Sequence, residues 1–171
     1  MEPLTMSGDR ANAPWWKGSR GEWYVVAQVL LLAVIAVGPR SWGGWPDVPF
    51  PGGAWVSVLG VTLLIGGLCL GALGVVKIGH ALTPLPSPAA GAVFQATGVY
   101  SFVRHPMYYG VLVSSLGWAF IRRGWLTLGY VLAAWVFLEL KIRREEKWLV
   151  DRFPGYSEYR RRVRKFIPYL Y

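Results

Sequence analysis

An uninterrupted apolar run from Ala54 to Val76 constrains this chain more than any other feature. The run is 23 residues long and contains no charged side chain. A helix of about 20 apolar residues matches the hydrocarbon core of a bilayer, which is about 30 Å thick. The run therefore predicts a transmembrane helix over 54–76 and an integral membrane protein.

Three shorter apolar segments accompany this run. We expect spans at about 23–42, 107–121 and 125–140. Only three residues separate the last two, which predicts a helical hairpin. The expected fold class is all-α: a polytopic transmembrane helix bundle with two spanning helices plus a C-terminal helical hairpin, forming one domain over 23–171. A cleaved signal peptide is the alternative interpretation of the first segment, because basic residues precede it and small residues end it.

The charge is unusual for so apolar a chain. Hydrophobic residues make up 54%, yet the formal net charge is +9. The segment 141–171 holds ten Lys and Arg against four acids, 1–22 holds three more, and the loop 38–53 has only Arg40. Because basic segments stay on the cytoplasmic side, both termini are predicted to be cytoplasmic. The pair Arg122-Arg123 would then lie on the disfavoured side.

The composition also limits which partners, disulfides and metal sites the chain can have. A basic tail at 141–171 beside a membrane attracts anionic lipids, and no base-reading motif supports binding to nucleic acid. The single cysteine, Cys69, excludes a disulfide scaffold, and its apolar surroundings predict a buried, inert thiol.

No His or Cys set has ligand spacing, so no metal site is predicted. The small pair Gly67 and Gly71 predicts close helix packing.

Two polar clusters could carry chemistry. Arg104, His105, Pro106 and Tyr108 gather at the predicted start of the third helix, where free amides and the helix dipole favour an anionic group. A Pro-rich segment at 83–88 cannot be helical, and we expect an extended wall of a site there.

The second cluster follows the fourth apolar segment and continues its helix. It contains Glu139, which follows Leu138 with no polar spacer and is therefore a functional candidate at membrane depth. The other charged members are Lys141, Arg143, Arg144, Glu145, Glu146 and Lys147.

These clusters resemble a known family. The run from Gly98 to Gly110 reads GVYSFVRHPMYYG, which resembles the G-x-Y-x-x-x-R-H-P-x-Y-x-G signature of the isoprenylcysteine carboxyl methyltransferases and their phospholipid methyltransferase relatives. A second signature, an acid pair followed by Leu, Phe and two Tyr, is similar to the segment from Glu145 to Tyr159. The likeness covers about residues 82–168.

The resemblance implies an integral membrane enzyme that uses S-adenosylmethionine in a cytoplasm-facing pocket. Glu145 would hold the polar end of the cofactor, and the backbone over 92–95, including Gln95, would approach it. The remaining cofactor-binding candidates are Tyr100, Arg104, His105, Pro106 and Tyr108. Aromatic faces in this set would suit the sulfonium cation.

The acceptor is less well defined. Lys141 stands where the isoprenylcysteine enzymes have an Arg that contacts the substrate, and the candidates for positioning the acceptor are Lys141, Arg144 and Glu146. A lipophilic carboxylate, phospholipid amine or thiol would each fit. An amine would need a base, for which Glu139 and Glu146 are candidates. The alternative functions are a non-catalytic membrane binding protein and a membrane reductase of sterol type.

Overall fold

A computed structural model describes residues 21–44, 51–79 and 94–166, and these ranges are almost entirely helical. A 3-10 helix at Gly98–Ser101 precedes the third of five α-helices. These are α1 (Glu22–Val37), α2 (Gly53–Ile78), α3 (Pro106–Arg122), α4 (Trp125–Arg152) and α5 (Tyr156–Arg162). The predicted all-α class is confirmed. The predictions for the segment 1–20 and for the Pro-rich stretch at 83–88 lie outside the described residues.

The helix bounds follow local chemistry. α1 ends five residues before the expected position 42, because Gly38 is followed by Pro39, and a proline disfavours helix in the residue before it. α3 and α4 form the predicted hairpin, in which Arg123 adopts a left-handed conformation at φ 51° between them. α3 opens on Pro106, which has no amide proton to leave unpaired.

Two of the helices are long and apolar enough to cross a membrane. They are α2, with 26 residues, and α4, with 28. At 1.5 Å per residue α4 is about 42 Å long, which exceeds a bilayer core of about 30 Å. Its polar second half therefore continues beyond the apolar segment as one helix, as the sequence predicts.

Glycines form the contact between α2 and α3. Gly60, Gly67 and Gly74 are the buried residues of α2, at a spacing of seven. A Cβ on Gly67 would lie 2.4 Å from the backbone nitrogen of Ser114, and one on Gly117 would lie 2.4 Å from that of Leu64. The predicted packing role of the pair Gly67 and Gly71 is confirmed for Gly67 only, because a Cβ on Gly71 would meet nothing within 4 Å. Small residues let two backbones approach closely where apolar side chains gain nothing by leaving lipid.

The opposite face of α2 carries the bulky residues. Val58, Ile65 and Leu68 are each about half exposed. Cys69 is exposed as well, so the expectation of a buried thiol is wrong: the apolar sequence around it faces outward, and the buried positions belong to the glycines. This inversion, with small residues inside and large apolar ones outside, is typical of a bundle surrounded by lipid.

Arg122 joins the hairpin to α1. Its guanidinium donates to the carbonyl oxygen of Ala36 at 2.7 Å and to that of Gly38 at 2.9 Å, and the Trp118 indole donates to Ala36 as well. The last carbonyls of a helix lack intrahelical partners and carry partial negative charge. Arg122, which the sequence analysis expected on the side disfavoured by the positive-inside rule, is therefore used within the bundle.

Replacing Gly67 by Ala should separate α2 from α3, because the new methyl group meets backbone rather than a flexible side chain. We expect the free energy of unfolding in detergent micelles to fall by about 1–3 kcal/mol. Gly66→Ala is the matched control, since a Cβ at Gly66 meets nothing within 4 Å. Equal stabilities of the two variants would contradict the packing.

Candidate functional site

The candidate site lies where the 3-10 helix, the start of α3, the polar half of α4 and α5 meet. The chain after α5 returns to this point and pairs with the Arg-His motif. The amide of Arg104 donates to the carbonyl of Arg164 at 2.8 Å, and the amide of His105 donates to that of Lys165 at 3.3 Å. The backbone before α3 is thereby fixed by a segment about 60 residues away in sequence.

Glu146 is the centre of the charge network. Its side chain is 5% exposed, and its Oε1 lies 2.9 Å from Nε of Arg104 and 3.2 Å from Nε2 of His105. Its Oε2 lies 3.4 Å from Nε of Arg160 on α5. Two guanidinium groups and an imidazole so close keep this carboxylate ionised. Glu146 thus joins α4 to α3 and α5.

Arg104 extends the same network. Besides Glu146 it reaches the backbone oxygens of Arg160 and Val163, at the end of α5. A guanidinium that is 8% exposed needs several acceptors, and this one has three. Arg104 is therefore committed to the protein rather than directed at a ligand.

Glu145, the neighbouring acid, has different surroundings. Its Oε2 accepts a hydrogen bond of 2.9 Å from the Tyr108 hydroxyl, and the residue is only half-buried. No ion pair within 4.0 Å involves Glu145 in the part of the chain that the structure describes. This carboxylate keeps acceptor capacity for a ligand, whereas Glu146 does not.

Lys141 is a buried cation beside Tyr108. Its residue is 2% exposed, and its Nζ lies 2.6 Å from Oε1 of Gln28 and 5.1 Å from the centre of the Tyr108 ring. Gln28, on α1, is the strongly polar residue in the first apolar segment. A chain of contacts thus runs from Gln28 through Lys141 and Tyr108 to Glu145.

An aromatic cluster closes the other side. The ring of Phe94 packs edge-on against Tyr156 and Tyr159, at centroid distances of 5.5 and 4.9 Å. The Tyr159 hydroxyl donates to the backbone oxygen of Tyr100 at 2.6 Å. Burial raises the pKa of Tyr100, Tyr156 and Tyr159 well above the ordinary value, so these phenols stay protonated at neutral pH.

One buried hydroxyl group of this cluster has hydrogen-bonding capacity for a ligand. The Tyr156 hydroxyl oxygen is buried and has no hydrogen-bond partner among residues 21–44, 51–79 and 94–166. It lies within electrostatic range of Glu145 and Arg104. A buried hydroxyl without a partner is costly unless a ligand or water completes it. The donor set of a phenol, a carboxylate and aromatic faces suits a polar cation such as the amino acid end and sulfonium of S-adenosylmethionine.

Most of the predicted residues come together at this junction. Pro106 is buried at the first turn of α3, as predicted, and Gln95 is half-buried next to Phe94. Arg144 points outward, over the rings of Tyr24 and Trp148.

Sequence reasoning assigned no role to Gln28, to the side chain of Phe94 or to Arg160. The only signal for any of them was the isolated polarity of Gln28 in an apolar helix.

Both candidate bases are engaged by cations. Glu139 lies 2.6 Å from Nζ of Lys165 and 3.1 Å from Nε of Arg143. Glu146 is enclosed as described above. Carboxylates held ionised by such partners are weak proton acceptors. Glu146 is engaged on both oxygens, whereas both cations of Glu139 contact its Oε1, and its buried Oε2 has no hydrogen-bond partner among the described residues.

The chain resembles membrane methyltransferases of known sequence and structure. The family model for phospholipid methyltransferase matches residues 55–155. Protein-S-isoprenylcysteine O-methyltransferase of Saccharomyces cerevisiae is 31% identical over 118 residues, which cover 67% of this chain and 49% of that protein. The enzyme of the same name from Xenopus laevis is 32% identical over 122 residues, which cover 68% and 42% of the two chains.

Two further comparisons cover more of the chain. The cobalt-zinc-cadmium resistance protein CzcN of Cupriavidus metallidurans is 31% identical over 151 residues, covering 88% of this chain and 63% of that one. The solved structure of the eukaryotic intramembrane Ras methyltransferase, an isoprenylcysteine carboxyl methyltransferase, superposes with a TM-score of 0.63 at 24% identity, covering 99% of this chain and 58% of that one.

These matches establish the family and the fold. The chain spans about half the length of the two isoprenylcysteine enzymes. The family model covers well over half of the 171 residues, and the matched segment includes the Arg-His motif and the acid pair. The chain therefore belongs to the phospholipid methyltransferase family and has the transmembrane helix bundle of the intramembrane methyltransferases.

Proposed function

We propose that the protein transfers a methyl group from S-adenosylmethionine to a lipophilic acceptor that carries an anionic group, at the cytoplasmic face of a membrane. The observation that carries the choice of acceptor is Lys141, a buried cation next to the candidate cofactor residues. The family membership supports methyl transfer, and the basic segment after α4 supports the cytoplasmic orientation.

The cofactor, when bound, supplies a methyl group on a positively charged sulfur that a nucleophile can attack directly. Glu145 would accept hydrogen bonds from its ammonium group or its ribose hydroxyls. Tyr108 holds the Glu145 carboxylate in place through the hydrogen bond of 2.9 Å. The buried hydroxyl of Tyr156 has no hydrogen-bond partner among the described residues and lies within electrostatic range of Glu146 and Glu145.

The acceptor follows from the cation and from the weakness of the candidate bases. A carboxylate or thiolate is already anionic, so it attacks without losing a proton, and Lys141 would attract and orient it. An ammonium acceptor would be repelled by Lys141 and would need deprotonation, for which Glu139 and Glu146 are weak proton acceptors. Alignment in one site can account for roughly 7–11 kcal/mol of such a barrier.

Glu146 and Arg104 are best assigned a supporting role. Each has protein partners on two neighbouring elements, so we propose that they hold the Arg-His turn and α5 against α4. This supporting role differs from the sequence prediction, in which Arg104 would contact the cofactor and Glu146 would position the acceptor. Gln28 supports Lys141 in the same way, by accepting its hydrogen bond.

The reaction is tested by incubating the purified protein in detergent with radiolabelled S-adenosylmethionine and three acceptors. We expect label on an S-prenylated cysteine with a free carboxylate and much less on phosphatidylethanolamine. Label on the amine lipid alone would contradict the proposed acceptor class. Binding of a nicotinamide dinucleotide, with none of S-adenosylmethionine, would favour the reductase alternative. A lipophilic thiol is the third acceptor and reports whether any anionic nucleophile suffices.

Glu145→Gln should weaken binding of S-adenosylmethionine about 10- to 100-fold, because a charge-assisted hydrogen bond worth roughly 1.5–3 kcal/mol is lost. The amide keeps the size of the side chain and can still accept from Tyr108. Titration calorimetry in detergent measures the affinity. Glu158→Gln is the control, since Glu158 is 63% exposed and pairs only with Arg162 in the described chain. Wild-type affinity in Glu145→Gln would refute the assignment.

Glu146→Gln should instead destabilise the fold. Removing one partner of a buried charge pair leaves the guanidinium of Arg104, which is 8% exposed, without its acid, and such a loss typically costs about 3–5 kcal/mol; Arg160 is half exposed and stays solvated. Denaturant unfolding in micelles reports the loss, and the exposed pair broken by Glu158→Gln should cost no more than about 1 kcal/mol. A Glu146→Gln protein of wild-type stability that fails only in cofactor binding would show that Glu146 contacts the ligand.

Lys141→Met should raise the KM for the carboxylate acceptor at least tenfold while the affinity for S-adenosylmethionine changes little. The substitution removes the charge but retains a long side chain. Lys141→Arg is the matched rescue, because it keeps the cation beside Tyr108. An unchanged acceptor KM in Lys141→Met would exclude contact between Lys141 and the acceptor.

A further inference from the structure

The outward face of α4 carries a cleft beyond its apolar segment. The cleft has a volume of about 390 Å³. It is lined by Leu140, Arg143, Arg144, Lys147 and Trp148. Counted from Leu140, the other four positions lie three, four, seven and eight residues further along, so they share one face of the helix. None of the candidate site residues Glu145, Tyr108 and Lys141 lines it.

The depth of the cleft corresponds to lipid headgroups. The apolar segment of α4 ends at Leu138, and Arg144 lies six residues further along the same helix, a rise of about 9 Å. The polar region of one leaflet is roughly 5–8 Å thick. Leu140, which is 54% exposed, lies at the boundary with the acyl chains.

The positive charge of the cleft is poorly compensated. Arg143 pairs with Glu139, but that acid is shared with Lys165. Among the residues that the structure describes, no acid lies within 4.0 Å of a charged nitrogen of Arg144 or Lys147. Two adjacent cations without acids would repel each other unless an external anion lay between them.

Aromatic rings hold Arg144 in position. Its guanidinium carbon lies 5.5 Å from the centre of the Tyr24 ring on α1 and 5.3 Å from that of Trp148. An exposed arginine normally loses much rotamer freedom when it binds a ligand, and contact with two rings reduces that loss. The fork of a guanidinium matches two oxygens of a phosphate, while Lys147 offers a point charge.

We propose that this cleft binds the phosphate of an anionic phospholipid from the adjacent leaflet. The site goes beyond the proposed reaction and does not depend on it. Leu140 and Trp148 favour a lipid over free phosphate, because they provide apolar contact next to the cations for glycerol and the first acyl carbons. An anionic headgroup is favoured over choline or ethanolamine, since these would add a cation to a cationic cleft. Arg144 is thereby assigned to lipid binding rather than to the acceptor.

The test is native mass spectrometry of the detergent-solubilised protein with phosphatidylglycerol or with phosphatidylcholine of the same acyl chains. We expect at least tenfold tighter binding of phosphatidylglycerol to the unmodified protein. The variant Arg144→Ala/Lys147→Ala should lose this preference. The matched control is Arg161→Ala/Arg162→Ala, which removes two exposed cations of the same tail and should keep the preference.

Four results would overturn the proposal. Equal loss in the control pair would show diffuse attraction to the tail, and equal binding of the two lipids would show no selectivity for charge. Competition by soluble glycerol phosphate as strong as by the lipid would show a free phosphate site. Lys147→Ala alone, at an exposed position, should lower the preference at least threefold, and an unchanged preference would exclude this lysine even if the double variant failed to fold.

Discussion

The buried carboxylate of Glu146 organises this end of the molecule. Its partners come from the turn before α3 and from α5, so one acid on α4 fixes three elements relative to one another. Removing such a charge from water costs several kcal/mol, which only well-placed donors offset. Arg104 can serve here because its remaining donors are satisfied by the backbone at the end of α5. The arrangement leaves Glu145, one residue earlier, as the acid with acceptor capacity to spare.

The two neighbouring acids differ because successive helical positions point about 100° apart. Glu146 points into the junction with α3 and α5, whereas Glu145 points towards Tyr108 and Lys141. The same geometry separates Lys141, which is buried, from Arg144, which lies over outward-facing rings. A single helix therefore presents a structural acid, an acid that we propose binds the cofactor, a buried cation and a surface cation within six residues. The role of each side chain follows from the part of the structure towards which it points.

Much of this could be predicted from the sequence, and the failures have a common cause. The hairpin and the start of α3 are local: an apolar segment, a short connection and Pro106 determine them. The roles of Gln28 and Arg160 depend on which helix faces which, and Gln28 meets Lys141 across 113 residues. Cys69 was assigned to the interior from apolar neighbours, but in a lipid-facing bundle hydrophobicity does not distinguish inside from outside. In α2 the buried positions are instead occupied by glycines.

The rigidity of α4 connects the two proposals. Lys141 and Arg144 are three residues apart on one continuous helix, a rise of about 4.5 Å, so their depths in the membrane are coupled. A phosphate held by Arg144 at the headgroup level places Lys141 near the edge of the hydrocarbon core. The charged end of a lipophilic acceptor would lie at the same depth when its chain is in the bilayer. Before the acceptor binds, Gln28 accepts the hydrogen bond of Lys141. Lipid binding on the outer face would thus set the depth at which the inner face meets its acceptor, without any movement of the helix.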